Sequence, residues 1–216
     1  MDNNGVPRVG TGLVFLDRLL GGGLPAQSLV VVAGLPGSGK STLTFHIMAE
    51  AVRQGATTML VTTTHQPPSK LGVQYGNLSF LRQTGVLDKM EFLELDTGVQ
   101  EQALLNLLNT IVLRIQERKV GVAVVDSFRA IADLAQSRGE VWRFLGSLSK
   151  QLVENDCIGI LVGEYSFPRD LDTPEVSMAD VVIYLEVERQ TNTEVRTLRV
   201  YKVRGGPYLE GRHAFY

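Results

Sequence analysis

Short apolar runs alternate with segments of helical periodicity along most of the chain. The apolar runs predict strands, the innermost of them buried on both faces, at residues 28–34, 57–63, 90–95, 120–127 and 158–164. Between several of them, apolar residues recur every three or four positions, which predicts helices at residues 40–55, 101–118 and about 140–154. This alternation is typical of an α/β fold with a mostly parallel sheet flanked by helices.

The pattern changes after residue 180. Two segments that alternate apolar and polar positions, DVVIYLEVE and VRTLRVYKV, flank the polar turn RQTNTE. They predict an antiparallel hairpin at the edge of the sheet. The final residues, HAFY, predict the start of a last strand. We therefore interpret residues 1–216 as one domain, which can be part of a longer chain.

Composition narrows the classes of function. The chain has 21 basic and 23 acidic residues, a formal charge of −2, so it carries no overall basic footprint for a nucleic acid partner. Cys157 is the only cysteine, which excludes an intramolecular disulfide and suits a reducing cytoplasm; we expect it in the core. The sequence has no signal-like start and no apolar run of about eighteen residues. We expect a cytoplasmic protein without a membrane partner.

The first of these predicted strands leads into the segment AGLPGSGKST. Its spacing matches G-x-x-x-x-G-K-[ST], a loop whose amides, together with the positive end of the following helix, converge on phosphate oxygens. Lys40 would reach the β- and γ-phosphates of a nucleotide, and Ser41 would bind Mg²⁺. The alternative is a glycine-rich turn that only caps a helix. The nucleotide contacts predicted from this motif are Gly34, Pro36, Gly37, Ser38, Gly39, Lys40, Ser41 and Thr42.

A second metal ligand is predicted at Asp126. In the segment VAVVDS, four apolar residues carry this carboxylate to the carboxyl end of a strand, where open α/β sheets bind their ligands. An aspartate at a strand end can also do no more than cap the next helix. Together with the phosphate loop, the position favours a shared Mg²⁺ site of Ser41 and Asp126.

Beyond these motifs, the sequence resembles the KaiC family of RecA-like ATPases. The likeness rests on GLVFLDRLLGGGLPAQSLVVVAGLPGSGKST, followed in the family's order by VVDS, VGE, MADVVIYL and VYKVRGG, and it covers residues 12–216. It implies a RecA-like P-loop core, ATP with Mg²⁺, and a homo-oligomeric ring, usually a hexamer, with nucleotide between subunits. It also implies that Lys202 and Arg204 reach the γ-phosphate of the neighbouring subunit. Taken alone, two cations on an edge strand are also typical of solvated charges that discourage sheet pairing.

The chain departs from the family just after the second of these strands. The family usually has two adjacent glutamates there, one of which is thought to polarise the attacking water, whereas Thr64 and His65 take their places here. Threonine is no base near neutral pH, while His65 can act as one or lie in a surface loop. Glu164, at the end of the strand after Asp126, is the remaining carboxylate, and in this fold that position more often senses the γ-phosphate.

Two functions of different classes agree with these observations. The first is an ATP-binding ring protein with slow hydrolysis that works as a nucleotide-gated signalling or assembly switch. The second is a recombinase-like or regulatory module that binds DNA or an unidentified protein partner, with ATP as a clamp and little hydrolysis. Autokinase activity of the KaiC kind is a third possibility. In each, the groups expected to act on the phosphates are Lys40, Glu164, Lys202, Arg204 and His65.

Overall fold

The computed structural model describes residues 6–62, 75–76, 78–82, 86–94, 103–190 and 193–215. In these ranges the strands are β1 (Arg8–Val9), β2 (Leu24–Pro25), β3 (Leu29–Gly34), β4 (Thr57–Thr62), β5 (Met90–Glu94), β6 (Val120–Asp126), β7 (Ile158–Glu164), β8 (Val181–Gln190), β9 (Thr193–Val203) and β10 (His213–Phe215). The helices are α1 (Val14–Leu19), α2 (Lys40–Arg53), α3 (Ala103–Arg118), α4 (Phe128–Ala132), α5 (Arg138–Glu154) and α6 (Pro174–Met178), with a 3₁₀ turn at Leu87–Lys89.

The main sheet has the strand order β10-β9-β8-β3-β7-β6-β4-β5. Its strands from β8 to β5 run parallel, whereas β9 is antiparallel to β8 and β10 is antiparallel to β9. The short strands β1 and β2 form a separate antiparallel pair. The architecture confirms the predicted α/β fold, with a mostly parallel sheet and antiparallel C-terminal strands.

Helices cover both faces of the sheet because its central strands are apolar on both sides. In β3, Val30 and Val32 pack on the side of α1 and α2, while Val31 and Ala33 pack on the side of α3, α4 and α5. All four residues are fully buried. Because helices cover both faces, no ligand can bind there, and the polar side chains of these central strands lie at the strand ends. Among the described helices, none combines the length and the apolar character needed to cross a membrane.

The N-terminus of α5 lies earlier than the sequence interpretation placed it. The helix begins at Arg138, two residues before the predicted position 140. Ser137 Oγ accepts a hydrogen bond from the Glu140 amide (3.3 Å), and the Glu140 carboxylate accepts one from the Gln136 amide (2.9 Å). These bonds satisfy one amide of the first turn and the amide just before Ser137, a variant of the capping box, and fix where the helix starts.

The predicted hairpin is formed by β8 and β9, which pair from Gln190 and Thr193 to Val181 and Val203. Its surroundings differ from the expectation in one respect. The last strand, β10, pairs with the outer side of β9, so the hairpin is not the outermost part of the sheet. On its inner side, β8 runs parallel to β3, which joins the hairpin directly to the strand that precedes the phosphate loop.

Cys157 provides a chemical probe of this core. The residue is fully buried just before β7, as expected from the sequence. Burial raises the pKa of its thiol to about 12. Because the thiolate is the reactive form, we expect no alkylation of the native protein by iodoacetamide at pH 8 and one adduct per chain after unfolding in guanidinium, both measured by mass spectrometry. Rapid labelling of the native protein would contradict this placement.

Candidate functional site

The carboxyl ends of four strands meet at one end of the sheet. Asp126, the last residue of β6, lies in register with Thr62, the last residue of β4. Gly34, the last residue of β3, lies in register with Glu164, the last residue of β7. Because β6 and β7 are neighbours in the sheet, these ends form one continuous rim. In parallel α/β sheets this rim is where ligands bind.

β3 continues into a loop whose backbone requires glycine. A Cβ at Gly34 would lie 2.2 Å from the carbonyl oxygen of Leu185, so no side chain can be placed there. Gly37 and Gly39 have φ angles of 78° and 100°, in the left-handed region that glycine favours. A Cβ at Gly37 would meet no atom within 4 Å, so the loop is open on that side. The loop therefore leaves its backbone open to a ligand on the side of Gly37.

The loop ends at the N-terminus of α2. Gly39 is the residue that precedes the helix, and no side chain caps it. The first amides of an α-helix have no partner within the helix, and they carry the positive end of its dipole. They are thus available to an anion above the loop, as phosphate binding requires.

Lys40 is the first residue of α2, and its amine folds over the loop. Nζ donates hydrogen bonds to the carbonyl oxygens of Gly34 (3.0 Å) and Leu35 (2.9 Å). Burial lowers the pKa of Lys40, while the negative charges of Glu164 and Asp126 act in the opposite direction. The ammonium group therefore lies within the electrostatic reach of both strand-end carboxylates.

Ser41 and Asp126 lie in direct contact. Ser41 Oγ donates a hydrogen bond of 2.9 Å to Asp126 Oδ2. Burial raises the pKa of Asp126, the Ser41 hydrogen bond and the charge of Lys40 oppose this rise, and Glu164 adds to it. A hydroxyl and a carboxylate oxygen side by side are ligands of the hard type that Mg²⁺ prefers.

These two oxygens suit a metal that arrives with a ligand. Among the described residues, no group of three histidine, cysteine or acidic side chains is placed to hold an ion. Mg²⁺ in phosphate sites commonly takes one or two protein ligands and completes its shell with phosphate oxygens and water. The pair formed by Ser41 and Asp126 therefore fits a nucleotide-linked Mg²⁺ rather than an ion held by protein groups alone.

The other predicted loop contacts divide into two groups. Pro36, Gly37 and Thr42 are exposed on the loop and the first turn of α2. Ser38 is fully buried, and its Oγ has no hydrogen-bond partner among the described residues. Its side chain packs beneath the loop beside Gly34, so it supports the loop from the protein side.

The candidate groups for water activation are only partly placed. Glu164 is exposed at the end of β7, beside Gly34. Thr64 and His65 lie outside the described residues, so their predicted roles stay predictions. Glu164 is thus the acidic candidate that the described rim holds in addition to Asp126.

Lys202 and Arg204 lie at the opposite end of the sheet. Val203, between them, pairs with Val181, and Val181 pairs with Val30 near the start of β3. Val30 precedes Gly34 by four residues, a distance of roughly 13 Å along a strand that rises about 3.3 Å per residue. The two cations therefore do not share a rim with the phosphate loop of their own chain.

Both cations contact the segment that leads into β8. Lys202 Nζ donates to the carbonyl oxygen of Ser177 (2.9 Å), and the guanidinium of Arg204 lies 3.2 Å from Asp180 Oδ1. Burial lowers the pKa of Lys202, the nearby charge of Arg204 lowers it further, and Asp180 opposes both effects. The predicted pair is thus brought together on one surface.

Sequence reasoning missed two residues of this arrangement. Asp180 accepts the Leu29 amide through Oδ2 (3.0 Å) and holds Arg204 through Oδ1. Its signal in the sequence is a polar residue at the head of the apolar run VVIYL. The ring of Phe215 lies 4.0 Å from the position of a Cβ on Gly39, close to the phosphate loop. No local pattern distinguishes Phe215 from any apolar residue of an edge strand.

Sequence comparisons match the chain to a known protein family. The sequence model of the family described as "ATPase: KaiC" matches residues 9–216. Protein RecA of Pseudomonas fluorescens (strain SBW25) and of Pseudomonas tolaasii are each 32% identical over 145 residues, which is 65% of this chain and 36% of the RecA protein. The aligned part of the chain thus spans about a third of the length of these relatives.

A solved structure has the same fold. The crystal structure of a KaiC-like protein from the hyperthermophilic archaeon Pyrococcus horikoshii OT3 superimposes with a TM-score of 0.80, covering 98% of this chain and 95% of that chain, at 22% sequence identity. The fold is therefore the RecA-like P-loop core that the sequence predicts. Because the family match extends over nearly the whole chain, the protein belongs to the KaiC family of ATPases.

Proposed function

We propose that the chain binds ATP with Mg²⁺ as one subunit of a homo-oligomeric ring, hydrolyses it slowly, and works in the cytoplasm as a nucleotide-gated switch for signalling or assembly. The observation that carries the proposal is the 2.9 Å hydrogen bond between Ser41 and Asp126, directly beside Lys40 in a loop that glycines keep open. Family membership supports ATP as the nucleotide.

Binding is the step for which this chain's own groups are best arranged. The loop amides and the N-terminus of α2 would hold the phosphate chain. Lys40 would exchange its two carbonyl acceptors for phosphate oxygens, which form stronger, charge-assisted hydrogen bonds. Ser41 and Asp126 would hold Mg²⁺, which when bound neutralises phosphate charge and orients the terminal phosphate.

Hydrolysis is expected to be slow because the family's glutamate pair is absent from the sequence. Thr64 and His65 take its places. Loss of a positioned proton acceptor costs about 10²-fold or more in rate. Glu164 stands beside the loop and acts electrostatically on Lys40, which favours a role in sensing the terminal phosphate. Slow hydrolysis would keep ATP bound for a long time, which suits a switch better than a motor.

The ring is supported by the position of Lys202 and Arg204. Since they lie at the opposite end of the sheet from their own loop, we propose that they act on nucleotide bound to the neighbouring subunit. The ion pair of Arg204 with Asp180 is more than half exposed on the arginine side. Exposed ion pairs contribute about 1 kcal/mol or less, so this contact is a weak obstacle to such a role.

A second candidate is favoured by the similarity to RecA. In this view the chain is a recombinase-like or regulatory module that uses ATP as a clamp on DNA or on a protein partner. The formal charge of −2 argues against the DNA version, since nucleic acid affinity rests mainly on basic contacts to phosphate. KaiC-like autokinase activity would meet the same lack of the glutamate pair.

The first prediction concerns Lys40. Lys40→Ala removes the ammonium that meets the phosphates, and hydrogen bonds to charged groups typically contribute 1.5–3 kcal/mol, so affinity for ATP should fall by roughly 10- to 100-fold. Calorimetric titration with ATP and Mg²⁺ measures this. Lys150→Ala, at an exposed lysine of α5, is the matched control and should bind like the unchanged protein.

The same titration tests the metal pair. Asp126→Asn keeps the shape of the side chain but removes its charge, so the gain in affinity that Mg²⁺ gives over EDTA should shrink while binding in EDTA stays close to that of the unchanged protein. Unaltered ATP affinity in Lys40→Ala, together with an unaltered Mg²⁺ effect in Asp126→Asn, would sink the proposed site.

A mixing experiment tests the contribution of the neighbour. Lys40→Ala and Arg204→Ala should each be nearly inactive in single-turnover hydrolysis of ATP. A pre-mixed sample should regain activity, because an intact loop then meets an intact arginine at about a quarter of the contacts in a randomly mixed head-to-tail ring. Failure of the mixture to recover activity would count against the ring. Brisk turnover by a protein that light scattering shows to be a monomer would also count against it.

Asp180→Asn is the control for this experiment. It removes the in-chain partner of Arg204 but keeps the arginine and an oxygen for the Leu29 amide. Turnover should therefore stay within a few-fold of the unchanged protein. A loss as large as that of Arg204→Ala would assign the arginine a structural role within its own chain.

DNA binding separates the two candidate functions. We expect no mobility shift of single- or double-stranded DNA at 0.15 M salt, with or without ATP, because the chain has no net positive charge to displace counterions. Tight binding that requires ATP would favour the recombinase-like candidate. The titrations of the Lys40 and Asp126 variants would still test the phosphate loop, and the mixing experiment would still test the ring.

A further inference from the structure

A cavity of about 390 Å³ lies between α4, the start of α5 and α6. Its lining contains none of the phosphate-loop residues. The charged groups around it are Arg129, Asp133, Arg138 and Glu175. Two of its walls follow the strands that end in Asp126 and Glu164, since α4 begins two residues after the first and the segment leading to α6 begins after the second.

Glu175 is the unusual member of this lining, because only 2% of its surface is exposed. Its Oε1 accepts a hydrogen bond of 2.7 Å from the hydroxyl of Tyr165, which is 1% exposed. Burial raises the pKa of that hydroxyl, so it stays a neutral hydrogen-bond donor, and a phenol carries no positive charge in either protonation state. A buried carboxylate normally has an ionic partner or several hydrogen bonds.

The cations in the cavity wall have acidic partners other than Glu175. The guanidinium of Arg129 lies 3.7 Å from Asp133 and over the ring of Tyr165 at 5.6 Å. That of Arg138 lies 3.7 Å from Asp172 and also donates to the Asp172 carbonyl oxygen. Among the described residues, none forms an ion pair with Glu175. Both cations of the wall thus have an acidic partner, whereas the buried Glu175 has a phenolic hydrogen-bond donor and no ion-pair partner among the described residues.

We propose that this cavity is a binding site for an organic cation, a guanidinium or ammonium group, with the carboxylate of Glu175 as its acceptor. Small-molecule sites commonly have volumes of about 300–1,000 Å³, so the cavity is large enough. The inference does not depend on nucleotide binding or hydrolysis.

An anion is disfavoured in the same place. The start of α5 would attract one through its helix dipole, but Glu140 already binds the Gln136 amide there and brings its own negative charge. Arg129 and Arg138 each have an acidic partner, so Glu175 is the charged side chain of this lining for which the described residues supply no ion-pair partner. A cation that pairs with it can belong to a free amine or to a lysine or arginine side chain of a protein partner.

The test uses two cationic probes and one neutral probe on the purified chain. Argininamide represents a free cation, a blocked pentapeptide with one arginine among glycine and serine represents a side chain, and citrullinamide replaces the guanidinium with an uncharged isostere. Amide chemical shifts in ¹⁵N spectra measure binding. We expect at least one cationic probe to bind with a dissociation constant of about 1 mM or tighter, shifting amides around Glu175, and citrullinamide to bind at least tenfold more weakly.

Glu175→Gln should lower the affinity for the cationic probe at least tenfold. Glu117→Gln, the same change at an exposed carboxylate of α3, should leave it unchanged. Binding of the peptide alone points to a partner protein, and binding of argininamide alone points to a free ligand. No shift with either cation, or equal binding of citrullinamide to the unchanged protein, overturns the proposal even if Glu175→Gln fails to fold. Equal affinity of a folded Glu175→Gln protein overturns it as well.

Discussion

The close approach of Gly34 to the carbonyl oxygen of Leu185 determines where the chain leaves the sheet. β3 is enclosed by β7 and β8 at its sides and by helices on both faces, so its end has no space for a side chain. The chain turns there without one, at the level of Glu164 on β7, the strand that separates β3 from Asp126 on β6. The place of the phosphate loop is therefore set by backbone packing, and the charged side chains are arranged around it.

The charges at this rim balance one another only in part. Burial disfavours both the ammonium of Lys40 and the carboxylate of Asp126, and their mutual attraction offsets some of that cost. A phosphate chain offers new partners to Lys40, and a divalent cation offers one to Asp126. A nucleotide with Mg²⁺ brings both signs of charge at once. It therefore gives Lys40 an anionic partner and Asp126 a cationic one, and neither is left unpaired.

The sequence was informative where a property belongs to a local stretch of chain. The buried strands, the loop spacing and the burial of Cys157 follow from short runs of residues, and the structure agrees with them. The start of α5, predicted at about residue 140, lies two residues earlier at Arg138, where Ser137 and Glu140 both contribute to capping the helix.

Properties that depend on tertiary neighbours could not be predicted from local stretches of the sequence. The position of β10 outside the hairpin and the parallel pairing of β8 with β3 depend on which strands meet in space. Glu175 resembles a surface residue in the sequence, and only the fold shows that it is buried against Tyr165. The roles of Thr64 and His65 rest on sequence alone, because both lie outside the described residues.

The hairpin joins Lys202 and Arg204 rigidly to the same sheet that carries the loop. If these cations serve a neighbouring nucleotide, each contact links two different surfaces of identical chains, so it cannot lie on a twofold axis. Repetition of such a heterologous contact turns every copy by the same angle relative to the last. That angle then decides whether the copies close into a ring or grow into a helical filament. Small changes at the end of the hairpin that carries Lys202 and Arg204 would be enough to alter the outcome.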